Sequence, residues 1–192
     1  MPDISGWLAA AGGPGTALQA VDPSAVASAP VGVRAAASFL LVLAFGGAVL
    51  YRYEGFVGRA VESSMARPLV SVVYGLMAYG FVVFVGGYAM GQLLRVDVAV
   101  RPLVTVGLAL VGGAVLTLAG LGYAVVGAGL TEVRGERRLW PGLVVGAALS
   151  GLVWLLLPFA AGVAAWVAVA AVGIGGPTRH WFHSTTAADR GG

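Results

Sequence analysis

"GLVVGAALSGLVWLLLPFAAGVAAWVAVAAVGIGG", Gly142 to Gly176, is an uncharged apolar run of 35 residues interrupted by one proline, Pro158. As a single straight helix it would reach roughly 52 Å at about 1.5 Å per residue, whereas the hydrocarbon core of a bilayer is about 30 Å thick. One span is too long. Pro158 removes a backbone hydrogen bond and crowds the preceding turn, and the pieces on either side, "GLVVGAALSGLVWLLL" and "FAAGVAAWVAVAAVGIGG", hold 16 and 18 residues. Two topologies fit. A tight hairpin around "LPFAAG", with Pro158 and Gly162 at the turn, gives two short spans. A single kinked helix gives one span with its end protruding from the membrane.

Three further apolar runs precede it: Ala35–Tyr51, Pro68–Leu94 and Pro102–Leu130. The first is just long enough to cross, and the other two are long enough to tilt or to extend into the headgroup layer. With 59% hydrophobic and 10% charged residues and a mean hydropathy of +0.92, the chain lies outside the range of water-soluble domains. The expected class is therefore an all-α integral membrane protein of five transmembrane helices, the alternative being four spans with a long last helix.

Arginine placement separates the two. All eleven basic residues are Arg. With five spans and the N-terminus outside, Arg52, Arg59, Arg67, Arg134, Arg137, Arg138, Arg179 and Arg190 lie on the cytoplasmic side, against Arg34, Arg95 and Arg101 outside. With four spans the division is nearly even. The positive-inside tendency favours five. The expected organisation is a flexible extracytoplasmic tail over residues 1–33, a transmembrane domain over 34–178 and a short cytoplasmic tail over 179–192. No cleaved signal is expected, because Asp3 precedes any basic residue and the first apolar core begins only after Arg34.

The connections are short. "RYEGFVGRAVESSMAR" reads either as an interfacial helix on the inner leaflet or as an extension of the first span. "RVDVAVR", Arg95–Arg101, alternates like a strand but is too short for a sheet, so an extended connector is expected. "TEVRGERR" is a mixed-charge loop beside the inner leaflet.

The 31 glycines weaken helices and make sense as contact surfaces where lipid supplies no drive to associate. Two G-x-x-x-G pairs, Gly87 with Gly91 and Gly142 with Gly146, are the candidate packing positions, either within the chain or between copies. The last three runs contain no Asp, Glu, Arg or His, the costly groups on which proton relays, coupled transport and intramembrane hydrolysis rely. Ser71, Tyr74, Tyr79, Tyr88, Gln92, Thr105, Thr117, Tyr123 and Ser150 remain. They form no continuous polar stripe and are expected to bond neighbouring helices.

The chain has no cysteine, which removes thiolate metal sites and a cysteine nucleophile. His180 and His183 share a helix face, yet two ligands without a third make a poor metal site. Together with Arg179 and Trp181 they read as an interfacial anchor, and Trp140 marks another span end. No phosphate-binding, nucleophile-elbow or zinc-protease motif occurs. The sparse arginines form no nucleic-acid patch. No catalytic, cofactor or metal residue is expected.

"ARPLVSVVYGLMAYG", the glycine-rich third run and the closing Gly142–Gly176 segment together resemble a family of haloarchaeal membrane domains. The likeness spans about Arg67 to Gly176 and rests on Arg-Pro-Leu opening a span, a Pro-x-x-x-Gly hairpin and a terminal Gly-x-Gly pair. In some relatives such a domain follows a bactofilin-like, polymer-forming β-helix, which has no counterpart in residues 1–33. The resemblance implies a membrane anchor or scaffold of the cell envelope, whose partners are the lipid bilayer and another membrane or polymer-forming protein or a second copy. A small permease, or permease subunit, for a neutral or apolar solute is the competing expectation.

Overall fold

A computed structural model describes residues 23–66, 68–93, 95, 101–132, 135 and 138–188; within these, nothing is described of the side chains of residues 23–25, 68, 90, 93, 101, 102, 177 and 179–188. The order is α1 (Pro23–Ser28), α2 (Val31–Met65), α3 (Pro68–Leu93), α4 (Arg101–Glu132), α5 (Leu139–Leu156) and α6 (Phe159–Ala188), with no strand among the described residues. Five helices, α2 to α6, are long and apolar enough to cross a membrane.

Close approaches fix their directions. A Cβ at Gly46 would meet Leu143 and one at Gly151 would meet Ala35, so α2 and α5 are antiparallel. Ser71 faces Gly175 while Gly75 faces Ala171, which sets α3 against α6. Gly86 against Val111 and the Tyr79 hydroxyl against the Val115 carbonyl do the same for α3 and α4. Tyr123 against Gly146 and Gly127 against Gly142 oppose α4 and α5. The five helices therefore alternate in direction, and the start of α2 and the end of α6 lie at opposite ends of the bundle.

The final apolar run is two helices. Leu157 is extended (φ −114, ψ 144), the conformation favoured before proline, and α6 begins at Phe159. The pair is not a close-packed hairpin. Beyond the turn, α5 leans on α2 and α4, whereas α6 leans on α3 and α4. The central helix is α4, which packs on all four other long helices, whereas α2 barely reaches α3 and α6 barely reaches α5.

Boundaries differ from the sequence expectation at both ends. Residues 1–22 lie outside the described residues, but 23–28 form α1, and α2 starts at Val31 with the Val33 and Arg34 amides bonded to the Pro30 carbonyl. At the other end α6 continues to Ala188. Residues 96–100, and 133, 134, 136 and 137 of the mixed-charge loop, lie outside the described residues. Gly135 in that loop has φ +114, a backbone state open to glycine and strained for L side chains.

The stretch after the first span is helical, but it is neither a straight extension nor a helix laid free on lipid. Tyr53 has non-helical angles (φ −137, ψ 42), and the helix resumes in a new direction. Ser38 and Ser64 are 26 residues apart on α2, about 39 Å along a straight helix, yet their partners Trp166 and Gly173 are seven residues apart on α6. The segment from Glu54 to Met65 must therefore run across the end of the bundle. Its apolar face is covered by protein: Val57, Ala60 and Val61 are buried with Leu121, Ala124, Val125 and Ala128 of α4.

Candidate functional site

Most span hydroxyls and indoles that the structure buries serve helix contacts. The Trp166 Nε1–H donates to Ser38 Oγ at 2.9 Å, and the Trp166 carbonyl accepts from the Tyr123 hydroxyl at 3.2 Å. Ser64 donates to the Gly173 carbonyl at 3.0 Å and accepts from the Gly176 amide at 3.2 Å. Ser71 donates to the Ser64 carbonyl at 3.3 Å. Thr117 and Ser150 instead bond within their own helices, to Gly113 and Ala147. Among the described residues no group of three or more His, Asp or Glu is placed to hold a metal ion.

Small residues bring the backbones together. On α3 and α6, Ser71-x-x-x-Gly75 lies against Ala171-x-x-x-Gly175; a Cβ on either glycine would overlap a carbonyl of the facing helix. Gly122 and Gly173 make a similar contact between α4 and α6. Of the four glycines singled out by spacing, Gly142 and Gly146 are buried against Ala128 and the Tyr123 carbonyl on α4. Gly87 and Gly91 behave differently: a Cβ on either meets nothing within 4 Å. Among the described residues they make no contact within the chain. With Gly80, equally open, they fall within about 40° of one another at about 100° per residue. They share that outward face with the exposed side chains of Leu76, Met77, Val83 and Phe84. The faces of α3 are thus divided: Ser71 and Gly75 toward α6, Tyr79 and Gly86 toward α4, and Gly80, Gly87 and Gly91 away from the bundle.

Pro158 and Gly162 stand at the turn. The Gly162 amide bonds the Pro158 carbonyl at 2.7 Å, and a Cβ at Gly162 would come within 3.3 Å of the Trp154 ring. That ring and Phe159, 5.9 Å apart, hold a group that spacing did not single out. The Arg34 guanidinium sits 5.7 Å from the Trp154 centroid and 5.6 Å from that of Phe159. Such cation–π contacts stabilise by about 0.5 to 2 kcal/mol. Nε and Nη1 of Arg34 are buried and have no hydrogen-bond partner among the described residues; leaving a charged donor so costs more than the about 1 to 3 kcal/mol of a neutral one. Arg34 also forms part of the wall of an open cavity of about 490 Å³, whose other walls are almost entirely apolar: Ala37, Leu41, Val163 and Val167, closed on one side by Val26 and Ala29. The available signal was the pair of aromatic residues flanking Pro158 at the end of the molecule where Arg34 begins its span.

His180 and His183 lie on the α6 backbone, and their side chains are outside the described residues. Comparison with family models, with curated proteins and with solved structures returns no significant match.

Proposed function

We propose that this chain is a non-enzymatic multi-pass membrane protein that anchors or organises another membrane component, or further copies of itself, through the outward face of α3. One observation carries the reading: Gly80, Gly87 and Gly91 leave a strip of helix backbone uncovered between large apolar side chains. A lipid tail gains little from such a strip, but a second helix with small or ridged side chains can approach it closely. The use of most buried span hydroxyls within the bundle supports a static block over a conduit. The arginine distribution supports an orientation with the N-terminal end outside and the C-terminal end in the cytoplasm. The resemblance of Arg67–Gly176 to haloarchaeal membrane domains supports a setting in the cell envelope, with a polymer-forming protein as one class of partner.

The natural absence of cysteine makes the test clean. Val83→Cys, on the outward face, is expected to crosslink in native membranes to a second copy or to one other membrane protein. Leu155→Cys, exposed on α5, is expected not to, and Gly87→Ile is expected to abolish the Val83 crosslink. A chain that stays uncrosslinked at Val83 and purifies as a monomer without a companion overturns the proposal.

A further inference from the structure

We propose that the cavity beside Arg34 binds an anionic phospholipid, its phosphate held by the Nε–H and Nη1–H of Arg34 and one acyl chain lying along the apolar wall. Four observations converge on this site. Arg34 presents two buried N–H donors that no group of the described chain accepts. The fork of a guanidinium matches the oxygens of a phosphate in number and geometry. Trp154 and Phe159 hold the cation within 6 Å of their ring centroids, and Arg34 itself lines the cavity. The acidic side chains among the described residues, Glu54, Glu62 and Glu132, all belong to the opposite end of the bundle.

The shape of the cavity selects an amphiphile over a free anion. Its α2 wall runs from Arg34 through Ala37 and Ser38 to Leu41, about 10 Å along the helix axis. With α2 crossing a bilayer, Arg34 at the start of its apolar run would stand at headgroup depth and Leu41 two turns further into the hydrocarbon. The polarity gradient of the wall therefore parallels that of a lipid molecule standing in its own leaflet. On the facing helix the wall is Val163 and Val167, and the volume falls in the range of small-molecule sites. The one hydroxyl in the wall, Ser38, is buried and accepts from Trp166, so the wall below the arginine is mainly the apolar surface of Ala37, Leu41, Val163 and Val167.

The test uses the full-length chain purified in mild detergent, with phosphatidylglycerol, phosphatidylcholine and oleate as probes. Retained lipid is read by native mass spectrometry and the thermal midpoint by intrinsic fluorescence. Phosphatidylglycerol is expected to be retained about tenfold or more over phosphatidylcholine, whose phosphate could bond the same donors but whose choline cation would stand beside the guanidinium, and to raise the midpoint. Arg34→Gln should remove that preference, and Arg34→Lys, which keeps the charge but not the fork, should keep part of it. Ala37→Phe fills the cavity below an intact Arg34 and should also lower retention. It keeps the test open if the glutamine variant does not fold. Four results would overturn the proposal: equal retention of the two phospholipids, Arg34→Gln or Ala37→Phe binding like the parent, oleate displacing phosphatidylglycerol, or Asp22→Asn lowering the lipid-free midpoint as much as Arg34→Gln. The last would mean that the chain supplies its own anion.

Discussion

Gly175→Ala is the substitution on which the packing of this bundle can be judged most directly. The new Cβ would overlap the carbonyl oxygen of Ser71, and carbonyl carbon and Cα lie immediately behind it. All three are backbone atoms, so no rotamer change relieves the contact and α3 and α6 must move apart. Overpacking of this kind costs about 1 to 3 kcal/mol. The displacement also strains the neighbouring bonds between Ser64 and the Gly173 carbonyl and Gly176 amide. Against that, alanine gains about 0.5 to 1 kcal/mol over glycine inside a helix. A net loss of about 1 kcal/mol is expected. Gly112→Ala supplies the reference, because a Cβ there meets nothing within 4 Å; it should gain about 0.5 to 1 kcal/mol. The helix gain is common to both, so the two variants are separated by the overpacking cost alone, about 1 to 3 kcal/mol, readable as a difference in unfolding midpoint when the purified chain is titrated with a denaturing detergent in mixed micelles. Equal midpoints would refute the assignment of Gly175 to a helix contact, and with it the placement of α6 on α3.

Two further outcomes follow from the same framework. Ser64→Ala removes a donor to Gly173 and an acceptor for Gly176; a loss of about 1 kcal/mol is expected, within the range seen for polar contacts between membrane helices, and no measurable loss in the same titration would mean that the segment after Tyr53 is not docked on α6. Pro158→Ala relaxes the restriction on Leu157, and should cost less than about 1 kcal/mol while leaving a C-terminal topology reporter on the side where the parent shows it, since α6 is held by α3 and α4; a reporter that changes sides would mean that the proline alone divides the two helices.

The five-helix architecture was legible because the bilayer is a ruler: run lengths and the position of Pro158 leave four or five spans and the arginine distribution favours five, and none of these requires knowledge of packing. The faces of the helices were not. In α3 to α5 the apolar residues run round the whole circumference, since lipid-facing and protein-facing positions are equally greasy and periodicity carries no inward signal. For the same reason the G-x-x-x-G spacing picked Gly87 with Gly91 and Gly142 with Gly146 alike, although one pair faces α4 and the other faces away from the bundle. The α3–α6 contact escaped notice because one member of each small pair is Ser71 or Ala171 rather than glycine. The break at Tyr53 has no proline to announce it. In the sequence Arg34 is only a charge that sets orientation, because its aromatic clamp is assembled from Trp154 and Phe159, more than a hundred positions away.

The outward glycines of α3 carry an energetic argument of their own. Each glycine in a helix interior weakens it by about 0.5 to 1 kcal/mol relative to alanine, so Gly80, Gly87 and Gly91 together forgo roughly 1.5 to 3 kcal/mol. Within the bundle such losses are offset at once: Gly75, Gly122, Gly173 and Gly175 admit backbone contacts that no larger residue would allow. On the outward face nothing among the described residues offsets them, and alanine or leucine would meet lipid equally well. The cost is recovered only if something approaches that strip more closely than a side chain would permit. A second helix does so, and its arrival would bury Phe84 and Met77, both now exposed, along with the uncovered backbone. Replacing all three glycines by alanine should accordingly raise the stability of the isolated chain while lowering its association in membranes. If the triple variant is stabilised and associates as the parent does, the strip is not an interface.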